Sequence, residues 1–136
     1  MSAADAFFDS NVILYLFSER AAEADRAEEL IARGGQISVQ VLNELANVTR
    51  RKLGFTWREV ADVTTQVRAI FLVTPLTVDT HVRGLQVASR YGLSVYDGMI
   101  VASALLGNCV TLYSEDLQDG QVIDRQLTVR NPFGRV

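Results

Sequence analysis

Four carboxylates in this 136-residue chain stand where an α/β protein concentrates chemistry. Asp9 follows the apolar run Ala6-Phe7-Phe8, and Asp116 comes just after an apolar run ending at Tyr113. Each reads as an acid beyond the carboxyl end of a strand, where open α/β sheets bind ligands. Asp97 is in helical phase with Ile100, Val101 and Ala104, which puts its carboxylate on the stripe facing the core. A buried carboxylate is costly unless paired, protonated or metal-bound. Glu44 lies on the border of the apolar stripe marked by Val41, Leu45 and Val48. Singly, each acid has a plainer role. Asp9 suits a helix N-cap, and Asp116 suits a turn in Ser114-Glu115-Asp116. Asp97 suits a capping pair with Ser94, and Glu44 a solvated side chain reaching past the core.

Gathered at one rim of a sheet, the four would repel strongly unless cations neutralised them. Oxygen ligands without cysteine or histidine suit hard divalent ions, Mg²⁺ or Mn²⁺. Such ions leave positions open for water and substrate phosphates, so the natural reaction is metal-assisted phosphodiester hydrolysis. The chain has one histidine, His81, which excludes chemistry needing two imidazoles. A metal-activated water is then the simplest nucleophile at neutral pH. Ser10, Asn11 and Ser114 are placed to hold waters or orient carboxylates. Glu115 and Asp119 lie close to Asp116 and are left open as further ligands or loop charges. Arg50-Arg51-Lys52 is the only basic cluster; it reads as a phosphate grip or as an exposed helix end complementing the dipole.

Short strands alternating with helices must position these residues. Strands are expected at residues 6–8, 37–39, 70–73, 109–113 and 127–129. Helices are expected at residues 23–33, 41–53, from Thr56 to about Ala69, 77–91 and 95–106. Thr56-Trp57-Arg58-Glu59 is a capping box, and Ser94 is the expected cap of the last helix. Residues 11–17 carry apolar side chains at helical and mixed spacing. The order predicts one α/β domain over residues 1–136, a three-layer arrangement with a mostly parallel sheet of about five strands flanked by helices.

Composition bounds the rest. A hydrophobic fraction of 49% and mean hydropathy of +0.14 supply one sizeable core. The pI of about 5.1 excludes a binder that works by bulk positive charge. Setting aside the four candidate ligands leaves twelve acids against thirteen bases, so the acidity is partly the site itself. The single cysteine, Cys109, excludes an intrachain disulfide and a CxxC zinc site and reads as a core thiol. No basic leader is seen at residues 1–8, and the uncharged run at 98–114 is shorter than the roughly 20 residues of a membrane span. A cytoplasmic protein without membrane association is expected. The apolar content also suggests surface covered by a partner, with residues 12–17 and the helix from Thr56 as candidates.

At these residues the chain resembles a PIN-domain ribonuclease, and more narrowly the toxin of a VapBC-type toxin–antitoxin pair. FFDSNVILYLF resembles the opening motif around Asp9, and ISVQVLNELANV the segment carrying Glu44. LSVYDGMIVASALLGN resembles the segment of the third acid, Asp97, and LYSEDLQDGQ the last motif, matched to Asp116. The four occur in order over nearly the whole chain. The resemblance implies catalytic and metal-ligating roles for these acids, with Mg²⁺- or Mn²⁺-dependent RNA cleavage. It further implies inhibition by a cognate antitoxin and a cytoplasmic homodimer. Two other classes compete. A receiver-like or dehalogenase-like phosphotransfer domain would need a lysine beside the acids, whereas Lys52 lies among arginines in a helix. A non-catalytic PIN-like binding module would show loss of one or more acids, and all four are present.

Overall fold

The computed structural model describes residues 5–134; the outermost residues of the expected 1–136 domain lie outside that range. The elements run β1 (Ala6–Phe8), α1 (Ser10–Leu14), a 3-10 turn (Tyr15–Phe17), α2 (Ala21–Ile31), β2 (Gln36–Ser38) and α3 (Val39–Arg51). They continue with α4 (Trp57–Ile70), β3 (Leu72–Thr74), α5 (Val78–Tyr91), α6 (Val95–Leu106), β4 (Thr111–Tyr113), β5 (Val122–Ile123) and β6 (Leu127–Arg130). The sheet has six strands in the order β3-β2-β1-β4-β6-β5, parallel except for the β5–β6 pair.

That order decides where a site can form. From β1 the chain steps outward through β2 to β3, then crosses to β4 on the other side of β1. The crossing direction therefore reverses between β1 and β4, and the crevice beyond their carboxyl ends is the switch point. The two strands are in tight register, Phe7 opposite Leu112 and Phe8 opposite Tyr113. Asp9 and Ser114 are thus delivered side by side from residues more than a hundred positions apart.

Burial on both faces explains why these strands read as unbroken apolar runs. Phe7, Phe8, Ile37, Leu112, Leu127 and Val129 are essentially inaccessible, and each such large side chain stabilises the fold by about 1.5–3 kcal/mol. The Thr56–Glu59 capping box forms with both of its hydrogen bonds, at 2.9 and 3.1 Å. Ser94 Oγ accepts from the Asp97 N–H at 3.1 Å, so α6 begins where its cap dictates. α6 packs closely on α5. A Cβ at Gly98 would lie 2.5 Å from the Gly84 carbonyl oxygen, so only glycine permits this approach.

Three differences from the sequence expectation have local causes. β5 has only two residues, too few for a periodic signal, and raises the sheet from five strands to six. Residues 11–17 split into α1 and a 3-10 turn, with Val12 and Ile13 buried and Phe17 at the surface. α4 extends through Ile70, which is half exposed, and the buried Phe71 turns extended to close the helix, delaying β3 by two residues. Among the described residues no helix is long and apolar enough to cross a membrane.

Candidate metal-binding site

Asp9 is the most constrained of the four acids. It is 3% exposed and caps α1, its Oδ1 accepting from the Ser10 N–H at 2.8 Å. Its Oδ2 accepts from the Ser114 hydroxyl at 2.8 Å and from the Asn11 amide at 3.4 Å. The capping role and a place in the crevice are therefore held by one side chain. Burial pushes its pKa up to about 7, and the charges of Glu44 and Asp116 add to the rise. The bonds from Ser114 and Ser10 oppose it without cancelling it.

Glu44 reaches the same crevice from the half-buried edge of α3. Its Oε1 accepts from the Ser10 hydroxyl at 2.9 Å, and its Oε2 from the Gln40 amide at 3.4 Å. Gln40 also donates to the Tyr96 carbonyl at 3.1 Å, tying the α3 flank to the first turn of α6. Asp97, next in the chain, is half-buried. Its pKa is raised by burial first and by the charge of Asp116 second, and lowered by Ser94. Asp116 is exposed, and its N–H donates to Ser114 Oγ at 3.2 Å.

Ser114 therefore links two acids: its hydroxyl donates to Asp9 and accepts from the Asp116 backbone. Asp116 in turn bears electrostatically on both Asp9 and Asp97. Among the described residues no arginine or lysine pairs with any of the four acids. Nor do three acid, histidine or cysteine side chains there stand together as a formed cage for an ion. Asp9 is turned onto its hydrogen-bond donors, the Ser10 N–H and the Ser114 hydroxyl. The donor set, all oxygen and without histidine or cysteine, suits a hard divalent cation.

The neighbouring acids have other partners. Glu115 accepts from the Tyr15 hydroxyl at 2.9 and 2.7 Å, and its N–H donates to the Asn11 side-chain Oδ1 at 3.2 Å. Asp119 accepts from the Asn131 N–H at 2.9 Å. Both act as struts of the β4–β5 connection. Tyr15 and Gln40 were not singled out by sequence. Gln40 stands four residues before Glu44 on one helix, a spacing that signals contact, whereas the Tyr15–Glu115 pair spans a hundred residues and carries no local signal. Beside the acids, Asn11, Leu14, Tyr15, Phe17, Val48, Leu53 and Glu115 line an open groove of about 340 Å³. Arg50 donates to the Phe55 carbonyl at 2.9 Å and lies over the Trp57 ring, while Arg51 and Lys52 are exposed at the end of α3. His81 is a surface residue of α5, and Cys109 is buried with its thiol pushed up to about 12.

A doubly flanked, mostly parallel sheet with acids gathered at its switch point defines an α/β protein with a carboxylate-rich crevice. The family model described as the PIN domain matches residues 6–119. The chain belongs to the PIN domain family. A comparison with curated proteins finds no match. Among solved structures, a toxin–antitoxin complex from Klebsiella pneumoniae is similar, with 21% identity, TM-score 0.71, and 93% of this chain and 97% of that one covered. VapC20 of Mycobacterium tuberculosis, described as a sarcin–ricin loop cleaving toxin, is 20% identical with TM-score 0.66, over 80% of this chain and 88% of its own. DNA-bound VapBC from Salmonella typhimurium is 16% identical with TM-score 0.67, over 95% and 98% of the two chains. At these identities the likeness is one of fold.

Proposed function

We propose that this chain is a metal-dependent endoribonuclease, the toxin of a type II toxin–antitoxin pair, acting in the cytoplasm. The observation that carries the reading is Asp9: a buried carboxyl at the switch point, pushed up to about 7, with two other acids bearing on it and, among the described residues, no arginine or lysine paired to it. Asp9, Glu44, Asp97 and Asp116 would hold Mg²⁺ or Mn²⁺. Bound there, the ion would offset phosphate charge and lower the pKa of a water to give a nucleophile at neutral pH. The chain's own part is positional. Ser114 holds Asp9 Oδ2, Ser10 holds Glu44 Oε1, and Ser10 N–H fixes Asp9 Oδ1, so the ligands are aimed before substrate arrives. Below about pH 7 Asp9 keeps its proton and is a poor ligand, so cation binding and proton release are linked.

The structural neighbours described as toxin–antitoxin complexes support a cognate antitoxin as partner. The groove beside Asn11 and Glu115, with apolar walls at Leu14, Phe17, Val48 and Leu53, offers such a partner a seat next to the acids. A homodimer completes the proposal, with apolar α5 side chains such as Val78 and Val82 left exposed to meet a second copy. The test is cleavage of RNA by purified, antitoxin-free protein in Mg²⁺. Activity should vanish with EDTA, return with Mn²⁺, and fall at least a hundredfold in Asp9→Asn. Cleavage that survives EDTA, or a folded, partner-free protein that cuts no RNA, would overturn the reading.

A further inference from the structure

The polar end of α3 holds an arrangement that the acid site does not use. Trp57, the only tryptophan, is the first residue of α4 and is 67% exposed. An indole in that position leaves a large apolar face in water, which is unfavourable unless something covers it. One contact is already fixed. The Arg50 guanidinium lies 4.9 Å from the ring centroid, and its Nη1 donates to the Phe55 carbonyl at 2.9 Å. Arg50 is thus clamped, and it steadies the ring from one side. Ala46, Asn47, Arg50, Arg51 and Trp57 together line a cleft of about 580 Å³.

The lining decides what kind of ligand fits. Apart from the indole its side chains are one methyl, one amide and two guanidiniums, so it lacks the contiguous apolar area of a helix-docking groove. An aromatic face beside cations is instead the composition of single-strand nucleic-acid grooves, where bases stack and arginines meet phosphates. Its place on the helix matters equally. Arg51 follows Glu44 by seven residues, two turns, and so lies on the same side of α3, about 10.5 Å further along at 1.5 Å per residue. At roughly 3.4 Å per stacked nucleotide that is a span of about three nucleotides.

We infer that Trp57 is a stacking platform for an unpaired base of the RNA substrate, with Arg51 and Asn47 gripping the strand between it and the Glu44 end of the acid site. This rests on the ribonuclease reading above. It adds a position: the stacked base lies a few nucleotides from the cut and must be unpaired there, since a paired base cannot lie on the indole.

Because the chain has one tryptophan, its emission reports on this residue alone. In EDTA, where the substrate stays intact, a single-stranded adenine hexanucleotide should quench the emission saturably, and a duplex of the same length should not. Binding of a fluorescent single strand, followed by anisotropy, should weaken about tenfold in Trp57→Ala and less than about threefold in Trp57→Phe, which keeps a flat ring. Arg51→Ala should weaken binding and lower the salt slope by about one. Circular dichroism and gel filtration of each variant check folding and assembly. Loss of affinity equal in the alanine and phenylalanine variants refutes stacking. So does unchanged RNA affinity in Trp57→Ala, including the case where that variant instead dissociates an oligomer. A wild-type protein that cleaves RNA while its emission ignores the strand refutes this inference alone. One that neither cleaves nor binds RNA removes the ribonuclease reading as well.

Discussion

Asp9→Asn should change not only activity but the way folding stability depends on pH. The folded protein holds a proton on Asp9 up to about pH 7, whereas the unfolded chain releases it near 3.8. The folded state therefore binds more protons over that window, and stability must fall as pH rises through it. At about 1.4 kcal/mol per pKa unit, the full loss is about 4 kcal/mol. The part between pH 5 and 8, convenient for urea or thermal unfolding, is about 2–3 kcal/mol, or roughly 10 °C in Tm for a chain of this size. Asparagine has the same shape, keeps the carbonyl that caps Ser10 N–H, and cannot ionise. In EDTA the variant should lack the Asp9 part of the decline and be the more stable protein at pH 8. The raised pKa of Asp97 gives the same sign in both proteins, so their difference isolates Asp9. Adding Mn²⁺ at pH 8 should restore wild-type stability by about 2.7 kcal/mol at a hundredfold excess over Kd, and the variant should respond far less. If wild type and variant show parallel curves from pH 5 to 8, the buried-acid argument is wrong.

Asp124 makes the opposite prediction at the other side of the fold. It accepts from Arg83 at 3.0 Å and from the Tyr91 hydroxyl at 2.8 Å, bonds that hold its pKa below the usual range. Its charge stabilises the fold above the unfolded pKa, and that contribution disappears as pH falls through the folded one. Asp124→Asn, which tolerates the backbone at φ 51°, should cost about 1–2 kcal/mol at pH 7 by urea unfolding and almost nothing at the acid end. Gly98→Ala drives a methyl group against the Gly84 carbonyl. It should cost about 1–3 kcal/mol in unfolding experiments, and RNA cleavage should drop as well because Asp97 is the preceding residue.

Much of this architecture is legible locally. The start of α6 is marked by Ser94, because a capping serine is a chemical signal that survives tertiary packing. The helix from Thr56 was readable for the same reason. The acids at 9 and 116 stand out because each follows an apolar strand, a relation between neighbours in the chain. What escaped was either too short or too distant. Val122–Ile123 pairs with β6 through two residues, and no period can be counted over two. The Ser10–Glu44 bond and the Trp57–Arg50 stack depend on which way α3 presents its flanks after the chain turns. The loop from Lys52 to Thr56 hides that Trp57 returns beside Arg50.

The first strand of the chain is the centre of its sheet, gripped between β2 and the much later β4. During synthesis Phe7 and Phe8 emerge early yet have no second neighbour until Leu112 has left the ribosome. Asp9 likewise meets its donor Ser114 only after more than a hundred further residues have been made. A nascent or truncated polypeptide that stops before β4 has no closed crevice. The order of strands thus acts as a built-in delay: the carboxylates of the crevice come together only after β4 has been made and paired with β1.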